Sequence, residues 1–541
     1  MKALLVILDG ASYDLLEKYK DSLPNLTSLM REGFYGRLES VFPALTPIAI
    51  ASLLTGRLPK NHGIVYPKLF FKGRKLSDPV SAFSSEGLTA EPVWYYLGKQ
   101  GRKVLVTSSP QALPDKWKLP NVKLADPFKM KVKRCSDAVL LSEGENRVHG
   151  KLWLVEKGES SYRIAYPHGD DYAVTEVKVG EWSSPLTFTA KCKEGELEGV
   201  VLLKGLTNGV YVSPAVYFNF QWANDEGLMK DVWEKVVKST GAFLDADHHS
   251  LQKGLISFSD FMETTELAFK FFTTYTNYLL TNYEWDFAIT YLPIIDNLQH
   301  LLFGLGGEYE EHIRWAYKKA DEFVGAIADL ADALFIASDH GIARVSKRVY
   351  VNKLLMNLGF LKLNERNEVD WSRTKAIYAG GGAIRINLKG REKDGIVSKE
   401  EYPKVVRKIV RALEEVGGTE VFAFISSSEQ PAGDREGDIT FIVKEPYGPA
   451  TTIRSDVNVI EDVKPLKVAS GEHGYFRKED FNGIIVMRLK GVRGGKKLEK
   501  VKIVDVMPTI LKLYGIDSVK VDGVAVFDVV TALSRQSQHL R

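Results

Sequence analysis

Short, mainly apolar runs punctuate the chain, at residues 3–8 (ALLVIL), 103–107, 287–295, 333–337 and 483–487. Runs of this kind, with neither alternate position polar, suit strands buried on both faces of a parallel sheet. Between them, apolar residues recur at helical spacing over 13–20, 263–282 and 312–330, which predicts amphipathic helices. Strand and helix alternating in this way predict an α/β fold with a mostly parallel central sheet flanked by helices.

Two stretches break that rhythm. Residues 132–220 carry short alternating segments, such as 151–155 and 200–204, and turn signals such as Thr207-Asn208-Gly209, which predict an inserted β-rich unit. Residues 384–459 read as a strand, a helix over 399–416 and further strands, a small α+β lobe. The expected organisation is therefore a catalytic α/β domain from 1–131, 221–383 and 460–541, with 132–220 and 384–459 inserted in its loops. At 541 residues the chain is long enough for several cores, at roughly 150 residues per domain.

Composition narrows the function classes. Hydrophobic residues at 45% and charged residues at 26% are those of a globular protein. A balance of 72 basic to 69 acidic residues, without a long run of one sign, gives no indication of nucleic acid as the partner. The two cysteines, Cys135 and Cys192, match no CxxC spacing, so neither a disulfide framework nor a thiolate metal site is expected. The apolar run after Met1 ends at Asp9-Gly10, too early for a secretory signal, and no run reaches the roughly 18 residues of a spanning helix. A cytoplasmic location is expected. Lys and Glu are abundant and Gln sparse, a bias seen in heat-adapted proteins.

Candidate chemistry sits where the strands end. Asp9-Gly10 follows the first run, Asp296 and His300 follow the run at 287–295, and Ser338-Asp339-His340-Gly341 follows ALFIA. Ligand crevices of α/β sheets lie at such ends. Asp296 and His300, four apart, share a helix face. Asp339-His340, directly after a buried run, needs partners. Thr46-Pro47 opens an apolar helix; Thr46 suits a structural N-cap, but a hydroxyl among the free N–H groups of a helix start also suits a nucleophile. Glu472-His473-Gly474 lies far downstream. Three carboxylates, three imidazoles and one hydroxyl together divide into two N/O metal sites.

These stretches resemble the alkaline phosphatase superfamily, and most closely its type I phosphodiesterase/nucleotide pyrophosphatase branch, in particular the phosphohydrolase/phosphomutase group of archaea and bacteria. The matching segments are VILDGASYDLL with LPNLTSLMREG, FPALTPIAIASLLTGRLPKNHGI, IDNLQHLLF, SDHGI, INLKGRE, VGEWSSPLTF, GEHGYF and VDVMPTILKLYGI. The resemblance implies an alkaline phosphatase-like fold. It places Asp9, Thr46, Asp339 and His340 around one divalent metal and Asp296, His300 and His473 around another, zinc first and manganese second. It implies a hydrolase of phosphate mono- or diesters or pyrophosphate bonds that works through a phosphothreonine at Thr46, on a small phosphorylated substrate. A phosphotransferase or mutase using the same phosphothreonine is the alternative, and a non-catalytic binder of a phosphorylated ligand the further one. A threonine where sulfatases carry the residue oxidised to formylglycine disfavours sulfatase chemistry. The resemblance breaks after His62-Gly63-Ile64, where Pro67 stands in place of the asparagine with which nucleotide pyrophosphatases contact the phosphoryl oxygen; Lys60 and Lys68 are nearby cations. His248-His249 reads as an exposed polar loop, Gly380-Gly381-Gly382 as a turn, and His62 as a brace behind the Thr46 helix.

Overall fold

The computed structural model describes residues 1–475, 481–492, 494–517 and 519–532. Its centre is an eight-stranded sheet. In chain order the strands are β1 (Ala3–Leu8), β2 (Phe34–Glu39), β3 (Val104–Val106), β4 (Val122–Leu124), β5 (Phe287–Leu292), β6 (Ala333–Ala337), β7 (Asn482–Leu489) and β8 (Lys496–Lys502). Across the sheet they lie in the order β8-β2-β7-β6-β1-β5-β3-β4. Strands β6, β1, β5, β3 and β4 run parallel, and β7 runs against its neighbours β6 and β2. The sheet is thus mostly parallel, as the apolar runs predict.

All six residues of β1 are buried, and its alternate side chains feed two separate cores. Leu4, Val6 and Leu8 pack with the helices Phe258–Asn282 and Glu310–Ile327, whereas Ala3, Leu5 and Ile7 pack with the helices Thr46–Thr55 and Val506–Leu513. Covering both faces removes the polar side that an antiparallel sheet keeps, which is why the run shows no alternation.

Three boundaries moved for local reasons. The strand expected over 287–295 stops at Leu292, and Ile294 and Ile295 turn out to be buried positions on a helix, Ile294–Leu302. A continuous apolar run cannot distinguish the end of a buried strand from the start of a buried helix face. The helix expected from 263 begins at Phe258, where Ser257 and Asp260 form a reciprocal capping box. The helix expected over 399–416 runs over Tyr402–Val421, with non-helical backbone at Gly417 and Gly418.

Residues 139–217 form three small antiparallel sheets around their own apolar cluster, which includes Trp153, Tyr162, Ile164 and Phe188. A four-stranded sheet of Ala376–Tyr378, Ala383–Ile386, Phe422–Ser427 and Ile439–Val443 packs with the Tyr402–Val421 helix around another.

One expectation is overturned. Cys135 and Cys192 form a disulfide, with Cα atoms 5.9 Å apart. Their separation of 57 residues hides the pairing, because the antiparallel strands between them fold back and return the chain to its starting point. Closing a loop of that length removes denatured-state entropy worth about 4 kcal/mol in the chain-entropy treatment. The double variant Cys135→Ser/Cys192→Ser should therefore shift the chemical denaturation midpoint of the β-rich unit downward by a corresponding amount, whereas coincident curves for oxidised and reduced protein would show the bond contributes nothing.

Candidate active site

Each candidate side chain is placed by an element end along one edge of the sheet. Asp9 follows β1, Asp339 and His340 follow β6, and Asp296 and His300 lie on the Ile294–Leu302 helix that follows β5. These strands are adjacent and parallel, so their C-terminal ends share one crevice.

The chain crosses this crevice tightly at Gly10. It adopts a φ of +67°, and a Cβ there would come within 2.9 Å of Asp296 Oδ1. Gly10 N–H donates to Asp339 Oδ1 at 3.1 Å, and Gly10 O accepts from Gln299 Nε2 at 2.7 Å, which links the loops after β1, β6 and β5. A side chain at this position meets both a steric and a backbone penalty.

His473 arrives by a different route. Residues Ala343–Arg344, just beyond the β6 loop, pair antiparallel with Gly471–Glu472. Gly471 packs so closely that a Cβ would lie 2.3 Å from Gln299 O. His473 then stacks on His340 with ring centroids 3.5 Å apart and planes 14° from parallel. Phe476, the last residue of the GEHGYF segment, lies outside the described residues.

The side chains gather into two clusters. In one, His340 Nε2 lies 3.1 Å from Asp339 Oδ2 and 3.4 Å from Asp9 Oδ1. In the other, Asp296 Oδ2 lies 3.3 Å from His300 Nε2, and His473 Nε2 lies 3.2 Å from His300 Nε2 and 3.8 Å from Asp296 Oδ1. All three histidines engage a backbone carbonyl through Nδ1: His340 with Gly341 O, His473 with Ala44 O and His300 with Gly471 O, at 2.8, 2.8 and 3.0 Å. An Nδ1–H donated in this way leaves Nε2 facing the crevice, the arrangement that presents imidazole to a metal.

Thr46 lies beside the first cluster, in a cleft that Asp296 and His300 of the second also line. It is the first residue of the Thr46–Thr55 helix, but the N-cap position belongs to Leu45 and no side-chain cap hydrogen bond is made there. Its Oγ1 instead lies 3.1 Å from His340 Nε2 and 3.5 Å from Asp9 Oδ1. The structural-cap reading of this threonine is therefore not what the hydroxyl does.

Burial of so many charges in one place requires compensation. Burial, followed by the charges of Asp339 and Asp296, pushes the Asp9 carboxyl well above its usual range. Burial opposes a charged His340, yet Asp339, Asp9 and Asp296 outweigh it and push the ring up to about 10; His300, beside Asp296, rises to about 9. Burial and the neighbouring His340 hold His473 down to about 4. Asp296 Oδ1 is buried without a hydrogen-bond partner, and buried Asp339 Oδ2 has only His340 Nε2, 3.1 Å away, beside it. Buried carboxylate oxygens beside imidazole Nε2 atoms turned into the same crevice fit divalent cations, which would supply the missing positive charge. Asp9, Asp339 and His340, and separately Asp296, His340 and His473, bring ligand atoms within 4.8 Å of one another.

Several participants are not among the sequence candidates. Tyr291, on β5, hydrogen-bonds Asp9 Oδ2. Glu472 stands with His300 and His473 as a further potential ligand, and Arg348 Nη1 holds its Oε2 at 2.6 Å. Neither had a signal of its own, since Tyr291 hides inside an apolar strand and Arg348 is one arginine among many. The remaining residues singled out in the sequence fall elsewhere. His62 accepts from Ile64 N–H at Nδ1 and meets Ser52 Oγ through Nε2 at 2.9 Å, bracing the Thr46 helix from behind. Gly380, Gly381 and Gly382 all have positive φ and form a turn. Lys60 and Lys68 are exposed, outside the lining of the cleft that holds Thr46. His249 is exposed, and half-buried His248 opens a short helix capped by Asp247. The cleft itself measures about 550 Å³ and runs from Thr46, Asp9 and Asp296 past Tyr291 towards Ser108, Asp126 and Lys129 beyond β3 and β4.

The family profile for type I phosphodiesterase/nucleotide pyrophosphatase matches residues 3–476. Among solved structures, murine ectonucleotide pyrophosphatase/phosphodiesterase 5 aligns at 14% identity with a TM-score of 0.51, covering 97% of each chain. An inactive threonine-to-alanine variant of the murine protein in complex with AMP aligns at 13% identity, TM-score 0.50, again over 97% of each chain. The human protein aligns at 15% identity, TM-score 0.49, with the same coverage. The two likenesses with TM-scores of 0.51 and 0.50 show the fold. No curated protein matches the sequence.

Proposed function

The chain belongs to the type I phosphodiesterase/nucleotide pyrophosphatase family, whose members are metal-dependent phosphoric ester hydrolases, and from that premise we propose that it cleaves phosphodiesters through a covalent phosphothreonine at Thr46. The observation that carries this reading is the Thr46 hydroxyl, not engaged in helix capping, held 3.1 Å from His340 Nε2 beside Asp9 in a cleft that Asp296 and His300 also line.

Asp9, Asp339 and His340 would hold one divalent cation next to Thr46, and Asp296, His300 and His473 another. Zinc is the first choice for this donor set and manganese the second. Bound there, such cations lower the pKa of a coordinated hydroxyl and neutralise charge on the phosphoryl and leaving oxygens. The chain supplies the rest. Thr46 gives up its hydroxyl proton and its Oγ attacks phosphorus, forming the Oγ–P bond as the bond to the leaving alkoxide breaks, and the leaving oxygen takes up a proton in exchange. Water then displaces Thr46 from phosphorus, returning the hydroxyl. Tyr291 fixes one oxygen of Asp9, and the backbone carbonyls of Gly341, Ala44 and Gly471 fix the three rings, so the reacting geometry exists before substrate binds.

The cleft supports a substrate with a sizeable ester group, because it continues beyond Thr46 towards the ends of β3 and β4. The inactivation of the murine relative by a threonine-to-alanine change, and its capture with AMP, support a threonine nucleophile and a phosphate ester ligand. Bis(p-nitrophenyl) phosphate should accordingly be cleaved with a higher kcat/KM than p-nitrophenyl phosphate. Equal or reversed preference would assign the enzyme to monoesters.

Among the described residues no helix is long and apolar enough to cross a membrane. The Cys135–Cys192 bond favours an oxidising compartment, or the interior of a heat-adapted cell, over a reducing cytoplasm.

A further inference from the structure

Two buried donors in the catalytic cleft have nothing to bond. Ser108 Oγ and Asn297 Nδ2 are both shielded from solvent and without a hydrogen-bond partner, and both residues line the cleft that contains Thr46, Asp9 and Asp296. Apart from Asp296, no other described residue with an orphan buried polar side-chain atom lines this cleft. A buried polar group left unpaired costs about 1–3 kcal/mol, so a pair of them on residues that line one cavity calls for an external partner.

Their place in the sheet says what that partner is. Ser108 lies two positions past the end of β3, and β3 neighbours β5, whose following helix carries Asn297 directly after Asp296. The donors therefore flank the metal-ligand clusters on the side away from β6. Both are neutral donors to an acceptor, whereas the clusters on the other side are rich in carboxylate. Lys129 also lines the cleft, but its charge already acts on Asp126.

Resting on the hydrolase reading above, we infer that Ser108 Oγ–H and Asn297 Nδ2–H hold the non-bridging oxygen of the substrate phosphoryl group that faces away from the clusters. As Thr46 Oγ approaches phosphorus, charge accumulates on that oxygen, and fixed donors in a water-poor cleft stabilise it most in the transition state. Ser108 and Asn297 thus act on the reacting group itself, and their main effect falls on kcat.

The test uses the full-length, metal-loaded enzyme with Ser108→Ala, Asn297→Ala and Asn297→Asp. Each alanine variant should lower kcat on bis(p-nitrophenyl) phosphate by about 10²-fold, the usual loss for one oxyanion donor, with metal content unchanged and a melting temperature no lower than that of the wild type. Asn297→Asp keeps the shape but replaces the donor with an anion, and should lose at least as much; it also serves if an alanine variant does not fold. Calorimetric titration with inorganic phosphate provides a second readout, and its affinity should weaken in all three. If the wild type hydrolyses esters while every variant stays within threefold in kcat and phosphate affinity, the donor assignment falls and the hydrolase reading stands. If the wild type binds phosphate through these residues but turns over no ester, the hydrolase reading falls and the anion site stands. A wild type that does neither overturns both.

Discussion

Thr46→Ala should abolish phosphoester hydrolysis while leaving bound metal in place. Nucleophile deletions in enzymes that form covalent intermediates cost about 10⁴-fold or more in kcat, ~5 kcal/mol of barrier. The fold should tolerate the change, because the Thr46 hydroxyl does not cap its helix, and the lost interactions are those with Asp9 and His340. Thr46→Ser, which keeps the oxygen, should retain measurable turnover. Acid quenching during turnover of the wild type should trap phosphate on this threonine, detectable by mass spectrometry of the Thr46 peptide, and the alanine variant should show none. Full activity in Thr46→Ala would end the proposal of a covalent intermediate.

Removal of divalent cations should have an effect of similar size on activity and a large one on stability. A chelated sample should be inactive and should regain turnover on addition of zinc or manganese, whichever restores more identifying the working metal. Stability should follow, since a ligand at a thousandfold its dissociation constant adds about 4 kcal/mol. The stripped protein should also acquire a pH dependence that the loaded protein lacks. In the stripped state His340 and His300 are raised to about 10 and about 9, so their protonation favours the fold. That contribution is complete below the ordinary histidine value near 6.5 and disappears as pH rises through about 9 and 10. Asp9, raised by burial and by Asp339 and Asp296, adds a cost in the same direction once it ionises. Thermal melts between pH 7 and 10 should therefore diverge, with the stripped protein falling away from the loaded one. Parallel melts would mean that these residues do not share their charge with a metal.

The strands that carry the site were readable because burial on both faces leaves an uninterrupted apolar signature, as in residues 3–8 and 333–337. Asp9, Asp339 and His340 were readable for the related reason that a charge placed directly after such a run has no solvent to rely on. His473 was not readable from local pattern. Nothing near it marks a ligand, and it reaches His340 only because Gly471–Glu472 pairs with Ala343–Arg344. Thr46 was ambiguous, since a threonine before proline at a helix start looks the same whether its hydroxyl caps the helix or faces Asp9.

What the sequence by itself determined is the layered α/β plan, the ends of the strands where charge collects, and through the family-wide segments the class of chemistry. The tertiary structure alone decided that Cys135 meets Cys192, that Tyr291 and Arg348 support the carboxylates, and that Ser108 and Asn297 face the same cleft as Thr46. The physical reason is one of range. Burial and periodicity are local and leave their mark on neighbouring residues, whereas a hydrogen bond or disulfide between distant segments depends on how loops after separate strands meet at one edge of the sheet.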